Sequence, residues 1–213
     1  MYTVRSEFAV PPANIVQFED AAARLGTAER AQRGIEGFSL WNSVGSLTSY
    51  VILVRAESRE ALSRMRRSDA FRLAVGGVTA VANVSRPPEA YEGIFDTGSA
   101  GGKFLSLSEW NIIGGPEGAV AFEARMRQIA EIHQKAVPGW LGTRLRRSLA
   151  APNRYLTIRY ASVLEGAQPA KDPPAVQEFR RANPPDKYAS RQVSVGTFEA
   201  VFAIGPRGRR VTA

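Results

Sequence analysis

Residues 6–8 read Ser-Glu-Phe, and residues 108–110 read Ser-Glu-Trp, an offset of 102. The pair Gly37-Phe38 returns as Gly139-Trp140 at the same offset. Farther along, Tyr50 in SYVILVRA (49–56) answers Tyr155 in RYLTIRYA (154–161) at an offset of 105, and YEGIF (91–95) answers FEAVF (198–202) at 107. An offset that grows slowly along the chain is the mark of a duplicated segment with insertions in its loops. The 213 residues therefore read as two modules of about a hundred residues each.

Each half follows the order strand, helix, strand, strand, helix, strand. Residues 2–10 alternate as a strand, and Pro11, Pro12 and Asn14 open a helix over 13–33 with Ile15, Phe18, Ala22 and Leu25 on one face. Gly34 and Gly37 precede two strands near 38–43 and 49–56, separated by the turn residues Gly45 and Ser46. Ser58 is placed to cap a single second helix, REALSRMRRSDAFRLAV (59–75), with Leu62, Met65 and Phe71 inward, before a last strand near 89–95. The second half repeats this with a strand at 104–113, a helix at 116–136, a hairpin from 140 to 161 and a final strand near 192–204. Its second helix is confined to 175–182 by Pro169, Pro173, Pro174, Pro184 and Pro185. The boundaries follow: a first module at 1–95, the Gly-rich linker DTGSAGGK at 96–103, a second module at 104–204 and a basic tail at 205–213.

A βαββαβ order predicts an α+β fold in which a four-stranded antiparallel sheet carries two helices on one face. Its other face needs a cover. Two ferredoxin-like modules in tandem can supply it to each other, so the expected architecture is a pseudo-dimeric α+β barrel closed within one chain.

Composition narrows the chemistry. With 44% hydrophobic and 23% charged residues the chain can bury a core and is not biased toward disorder. The absence of cysteine removes disulfides, thiolate metal sites, iron–sulfur clusters and a cysteine nucleophile together. A single histidine excludes most zinc sites, and no Ser-His-Asp signature, HExxH, dinucleotide fingerprint or phosphate loop is present, so no metal site is expected. The net charge of +8 is dispersed, with local concentrations at Arg64, Arg66 and Arg67, at Arg144, Arg146 and Arg147, and at Arg207, Arg209 and Arg210. These read as solvated faces rather than a nucleic-acid footprint. The βαββαβ order is shared with single-strand RNA-binding domains, but their aromatic-rich central strand is missing, and RYLTIRYA only faintly echoes it. No run approaches the roughly 18 apolar residues of a membrane span, and MYTVRSEFAV lacks the pattern of a leader, which predicts a cytoplasmic protein without a membrane partner.

The stretch GFSLWNS…YVILVRAESREALSRMRRSDAFR resembles the antibiotic-biosynthesis monooxygenase domain of the dimeric α+β barrel superfamily. Gly37-Phe38, Glu57-Ser58, Glu60-Ala61 and Ser68-Asp69-Ala70-Phe71 carry the likeness in the family's order over most of residues 1–95. The Trp that often precedes Glu-Ser in the family is Ala56 here. The resemblance implies a monooxygenase that takes a small hydrophobic, aromatic or polyketide-like substrate and dioxygen without a cofactor. Haem binding or degradation, and non-catalytic binding of a small ligand, are the alternatives it leaves open. Association of copies into a homo-oligomer is compatible with it.

The candidate site residues lie mainly in the second half. His133 falls on the stripe Phe122, Met126, Ile129, His133, Ala136 of the helix, where a buried imidazole can act as a general base or as an axial ligand if haem is bound. At the offset of 102 its counterpart is Ala31. Trp110 and Asn111 end the first strand, and because neighbouring strand residues face opposite sides they cannot both line one cleft. Tyr155, Arg159 and Tyr160 follow on the hairpin, Arg159 offering a fork to an oxyanion. We take His133, Asn111 and Tyr160 as catalytic candidates and Trp110, Arg159 and Tyr155 as substrate-binding ones. Trp41 and Asn42 are the corresponding aromatic–amide pair of the first half.

Overall fold

Alternation over the first residues gives β1 (Tyr2–Ala9), and a 3-10 turn at Pro12–Asn14 leads into α1 (Ile15–Arg30). The hairpin β2 (Ile35–Ser43) and β3 (Ser46–Ala56) follows, then α2 (Arg59–Arg67), α3 (Asp69–Thr79) and β4 (Asn83–Gly98). The second repeat supplies β5 (Phe104–Ile112), α4 (Gly115–Ala136), β6 (Trp140–Ser148), β7 (Arg154–Ala161), the short α5 (Leu164–Ala167), α6 (Pro174–Ala182), β8 (Ala189–Ile204) and β9 (Arg210–Val211). This computed structural model describes residues 1–184, 187, 189–204 and 210–211; Pro185 and, of the expected basic tail, residues 205–209 and 212–213 lie outside them. The α+β class and the tandem ferredoxin-like order are those the sequence predicts. No helix among the described residues is long and apolar enough to cross a membrane.

One expectation fails within the first repeat. The second helix is not continuous: Ser68 takes an extended conformation (φ −72°, ψ 142°), ends α2 and starts α3 by accepting a hydrogen bond from the Phe71 amide at 3.2 Å. A serine followed by aspartate satisfies the orphan amides of a new helix better than it continues an old one. Ser58 caps α2 as expected, accepting from the Ala61 amide at 3.1 Å.

The chain divides into two compact units, residues 1–90 with the chain from Glu199 onward, and Tyr91–Phe198. The division cuts through β4 and β8, so the closing strand of each repeat begins in one unit and ends in the other. In the first unit Phe202 from the end of β8 stacks on Phe38 with ring centroids 5.9 Å apart, and Ile204 joins the core with Phe18, Leu25 and Leu40. In the second unit Tyr91–Gly98 of β4 pairs antiparallel with β6, Tyr91 opposite Ser148.

Side-chain geometry aligns the repeats more accurately than sequence landmarks do. Phe8, Phe18 and Tyr50 form an aromatic chain with centroid spacings of 5.4 and 4.9 Å; Trp110, Phe122 and Tyr155 form its equivalent at 5.6 and 5.3 Å. Each tyrosine hydroxyl donates to a helix glutamate, Tyr50 to Glu19 at 2.9 Å and Tyr155 to Glu123 at 2.8 Å. The helices therefore correspond at an offset of 104 and the hairpins at 105. The match of Gly37-Phe38 to Gly139-Trp140 is a coincidence: Gly34 (φ 84°) is the partner of Gly139 (φ 67°), both turning the chain from helix to strand with a left-handed backbone that favours glycine. Gly37 corresponds to Gly142, and each follows the same irregularity in strand register.

Candidate active site

Each unit has a cavity between its helices and its sheet. In the first unit β1 contributes Val4, Ser6 and Phe8, α1 contributes Leu25 and Glu29, and β3 contributes Ile52 and Val54. In the second unit the same positions are Ser106, Ser108 and Trp110, Ile129 and His133, and Thr157 and Arg159. The two sites are thus equivalent in the repeat and opposite in chemistry.

The first cavity encloses about 490 Å³, closed on its far side by Met65, Phe71, Val75 and Val78, with exposed Arg66 at its edge. Its wall is apolar except for Ser6, Glu29, Thr79 and Arg66, and the Thr79 hydroxyl is turned to the Val75 carbonyl at 3.1 Å. Glu29 extends the helical stripe Phe18, Ala22, Leu25 by one further step of four residues. It is 2% exposed, and its Oε2 has no hydrogen-bond partner. Burial in this wall pushes the carboxyl pKa up to about 8, because nothing nearby offsets the cost of desolvating the anion.

The second cavity is about 130 Å³ and polar. The proline-rich segment after β7 explains the difference. Where the first repeat has α2 and α3, the second has α5, a 3-10 turn at Pro169–Lys171 and α6, and the loop between them carries Asp172 into the interior. Asp172 Oδ1 receives a bond from Arg159 Nη1 at 2.8 Å, and Oδ2 lies 2.6 Å from Arg180 Nη2. Arg159 Nη1 is also 3.3 Å from His133 Nε2. A guanidinium only donates, so His133 accepts there and carries its own proton on Nδ1, which has no partner among the described residues. Burial, then the charges of Arg159 and Arg180, lower the imidazole pKa to about 2 and keep the ring neutral.

Of the residues singled out from sequence, His133, Arg159 and Trp110 come together in this wall. Trp110 donates from Nε1 to the Thr157 hydroxyl at 3.1 Å, and Tyr155, its partner across the β5–β7 pair, does not line the cavity and has its pKa raised to about 12 by burial and by Glu123. Asn111 and Tyr160 are one residue out of phase with Trp110 and Arg159 on their strands and lie on the opposite face; Arg144 is 5.9 Å from the Tyr160 ring. Trp41 is buried on β2 with Nε1 bonded to the Ser39 hydroxyl at 2.8 Å, and Asn42 closes the hairpin turn through the carbonyls of Ser46, Leu47 and Ser49 at 3.2–3.3 Å. Neither lines the first cavity.

The counterpart of His133 is Glu29, not Ala31, since the helices align at 104. Glu29, Arg125, Arg180 and Asp172 escaped the sequence reading. The helical stripe that located His133 passes through Glu29 as well, and would have found it. The surroundings of His133 do not fit a haem iron: Nε2 is engaged by Arg159, and a cavity of about 130 Å³ is far below the roughly 300 Å³ at which pockets for drug-sized ligands begin, too small for a macrocycle. No group of three or more His, Asp or Glu among the described residues is placed to hold a metal ion.

The whole chain shares its fold with solved structures of two provisionally named monooxygenases. One, from Fusobacterium nucleatum, is 10% identical over 100% of this chain and 97% of that one, with a TM-score of 0.78. The other, from Lactobacillus acidophilus, is 11% identical over 100% and 98%, with a TM-score of 0.74. An anthrone oxidase-like protein is similar at 13% identity, 100% and 95% coverage and a TM-score of 0.66. No curated protein matches the chain. The class is therefore the tandem α+β fold of these proteins. More particularly, residues 1–76, in the first unit, match the family model of the antibiotic biosynthesis monooxygenases.

Proposed function

We propose that the chain is a cofactor-independent monooxygenase of an electron-rich aromatic small molecule, bound in the first unit's cavity with Glu29 moving the proton. One observation carries this reading: a lone carboxyl, 2% exposed, stands in an otherwise largely apolar wall of a cavity of about 490 Å³. That volume falls in the range of small-molecule pockets. A base whose pKa lies near the working pH combines a usable ionised fraction with a strong pull on a carbon-bound or phenolic proton. The family match covers the segment that holds Glu29.

In the proposed reaction the ionised Glu29 takes a proton from an activated CH₂ group conjugated to the aromatic system. The resulting carbanion transfers one electron to dioxygen, and the radical pair combines as a hydroperoxide anion. Glu29 returns its proton to that anion. Loss of water then leaves a carbonyl, so CH₂ plus O₂ becomes C=O plus H₂O. Apolar walls favour the neutral aromatic and exclude water from the carbanion.

The anthrone oxidase-like neighbour makes anthrone the first substrate to try. Purified chain should consume oxygen with anthrone and form the quinone, and Glu29→Gln should slow turnover by about a hundredfold or more. Unchanged turnover in Glu29→Gln would remove this site from the reaction. Saturable binding of the aromatic without oxygen uptake would instead make the chain a ligand-binding protein.

A further inference from the structure

We propose that the second unit's cavity is a binding site for a small organic carboxylate, held through Arg159 and His133. The inference is independent of chemistry in the first unit. Arg159 and Arg180 line the second cavity together, whereas no carboxylate is among the described residues lining it. Asp172, behind the wall, answers Arg159 and Arg180 with one negative charge. The two guanidinium groups share that one carboxylate, and an anion in the cavity would complete the pair.

The unpartnered groups point the same way. Arg159 is 3% exposed, and its Nε and Nη2 have no hydrogen-bond partner. His133, 6% exposed, has a free Nδ1, and its contact with Arg159 makes that atom a donor. The hydroxyls of Thr157 and Thr143 each accept an indole N–H, from Trp110 and Trp140, both at 3.1 Å. Each hydroxyl therefore keeps a proton to donate. Ser106 and Ser108 add two more hydroxyls. The unpartnered groups of Arg159 and His133 are all donors, and a carboxylate accepts several hydrogen bonds at once.

Size and the remaining walls select the ligand further. A cavity of about 130 Å³ holds roughly the volume of four water molecules, enough for an ion of acetate or propionate size. Trp110, Met126 and Ile129 give one side an apolar surface for a short hydrocarbon end, which an inorganic oxyanion would not use.

Titration calorimetry of the full chain with acetate, propionate and inorganic phosphate tests the assignment. Saturable binding at one site per chain is expected for the carboxylates, weaker for phosphate, with Arg159→Met reducing affinity by about tenfold or more. Because Arg159→Met leaves Asp172 unpaired and can cost the fold, Arg180→Met, at the half-exposed side of the cluster, is the second variant. It should bind carboxylate several-fold more weakly, with the circular dichroism of the parent. Absence of saturable carboxylate binding to the parent chain, affinity unchanged in Arg180→Met, or tighter binding of phosphate than of either carboxylate would each overturn the proposal.

Discussion

Glu29 and His133 occupy the same place in the two repeats, one helix position seen twice, with a carboxyl facing an apolar cavity in one unit and a neutral imidazole facing a cationic one in the other. Each sits one step beyond the same pair of core positions, Ala22 and Leu25 in the first, Met126 and Ile129 in the second. The duplication has kept the frame and divided the chemistry.

If Glu29 is the base, kcat/KM for the first unit's substrate should rise with pH and level off above about 8, where the carboxyl is ionised. Glu29→Gln should give a low, flat profile. A pH–rate series on both proteins measures this, and a profile already flat below pH 6 in the parent would rule Glu29 out.

The same groups govern stability, in opposite directions. Glu29 is pushed up to about 8 in the fold from an ordinary carboxyl value of 4.5, so the folded state holds the extra proton between those values and stability is lost as pH rises from 4.5 to about 8. By the difference in pKa this amounts to roughly 4–5 kcal/mol. His133 is held neutral to about pH 2, against an ordinary imidazole value of 6.5, so its contribution is lost as pH falls below 6.5. Urea midpoints of Glu29→Gln should therefore fall less between pH 6.5 and 8 than those of the parent, and His133→Gln should soften the loss on acidification.

Asp172 is fully buried against Arg159 and 2.6 Å from Arg180. Its replacement by Ala would leave Arg159 buried without its counter-ion and should cost about 3–5 kcal/mol of unfolding free energy. Arg180→Met, on a side chain 34% exposed, should cost about 1 kcal/mol or less. Denaturant unfolding distinguishes them, and equal losses would contradict this account of the cluster.

Tyr50→Phe and Tyr155→Phe remove equivalent hydroxyl–carboxylate bonds of 2.9 and 2.8 Å. Each should lower stability by about 1 kcal/mol, and the double variant by about the sum, because the pairs share no partner. Thermal or urea unfolding of the three proteins checks both size and additivity.

The order of elements was legible because it rests on local rules. Period-two alternation marks β1 and β5, the prolines confine α6, and Gly34 and Gly139 mark the helix-to-strand turns. The repeat was legible in outline, but its register was not. Two glycine pairs three residues apart, Gly34 and Gly37 in one half and Gly139 and Gly142 in the other, allow a false match, and the left-handed turns at Gly34 and Gly139, the strand register and the Tyr–Glu bonds separate them. The false register hid Glu29 behind Ala31. The second site was half visible: strand parity brings Trp110 and Arg159 to one face and puts Asn111 and Tyr160 on the other. Asp172 and Arg180 reach it from a proline-broken loop and a short helix, whose paths follow from packing rather than from periodicity.

β4 and β8 each start in one unit and finish in the other. Cleavage at the glycine-rich junction would leave both halves lacking a strand end, so neither repeat is a portable domain. Joined in one polypeptide, the halves are inherited together yet mutate separately: a change in one cavity is not copied into the other, as it must be in a pair of identical subunits. The second half is thus free to give up a carboxyl and acquire guanidinium groups, while the strand end it supplies keeps it indispensable to the first.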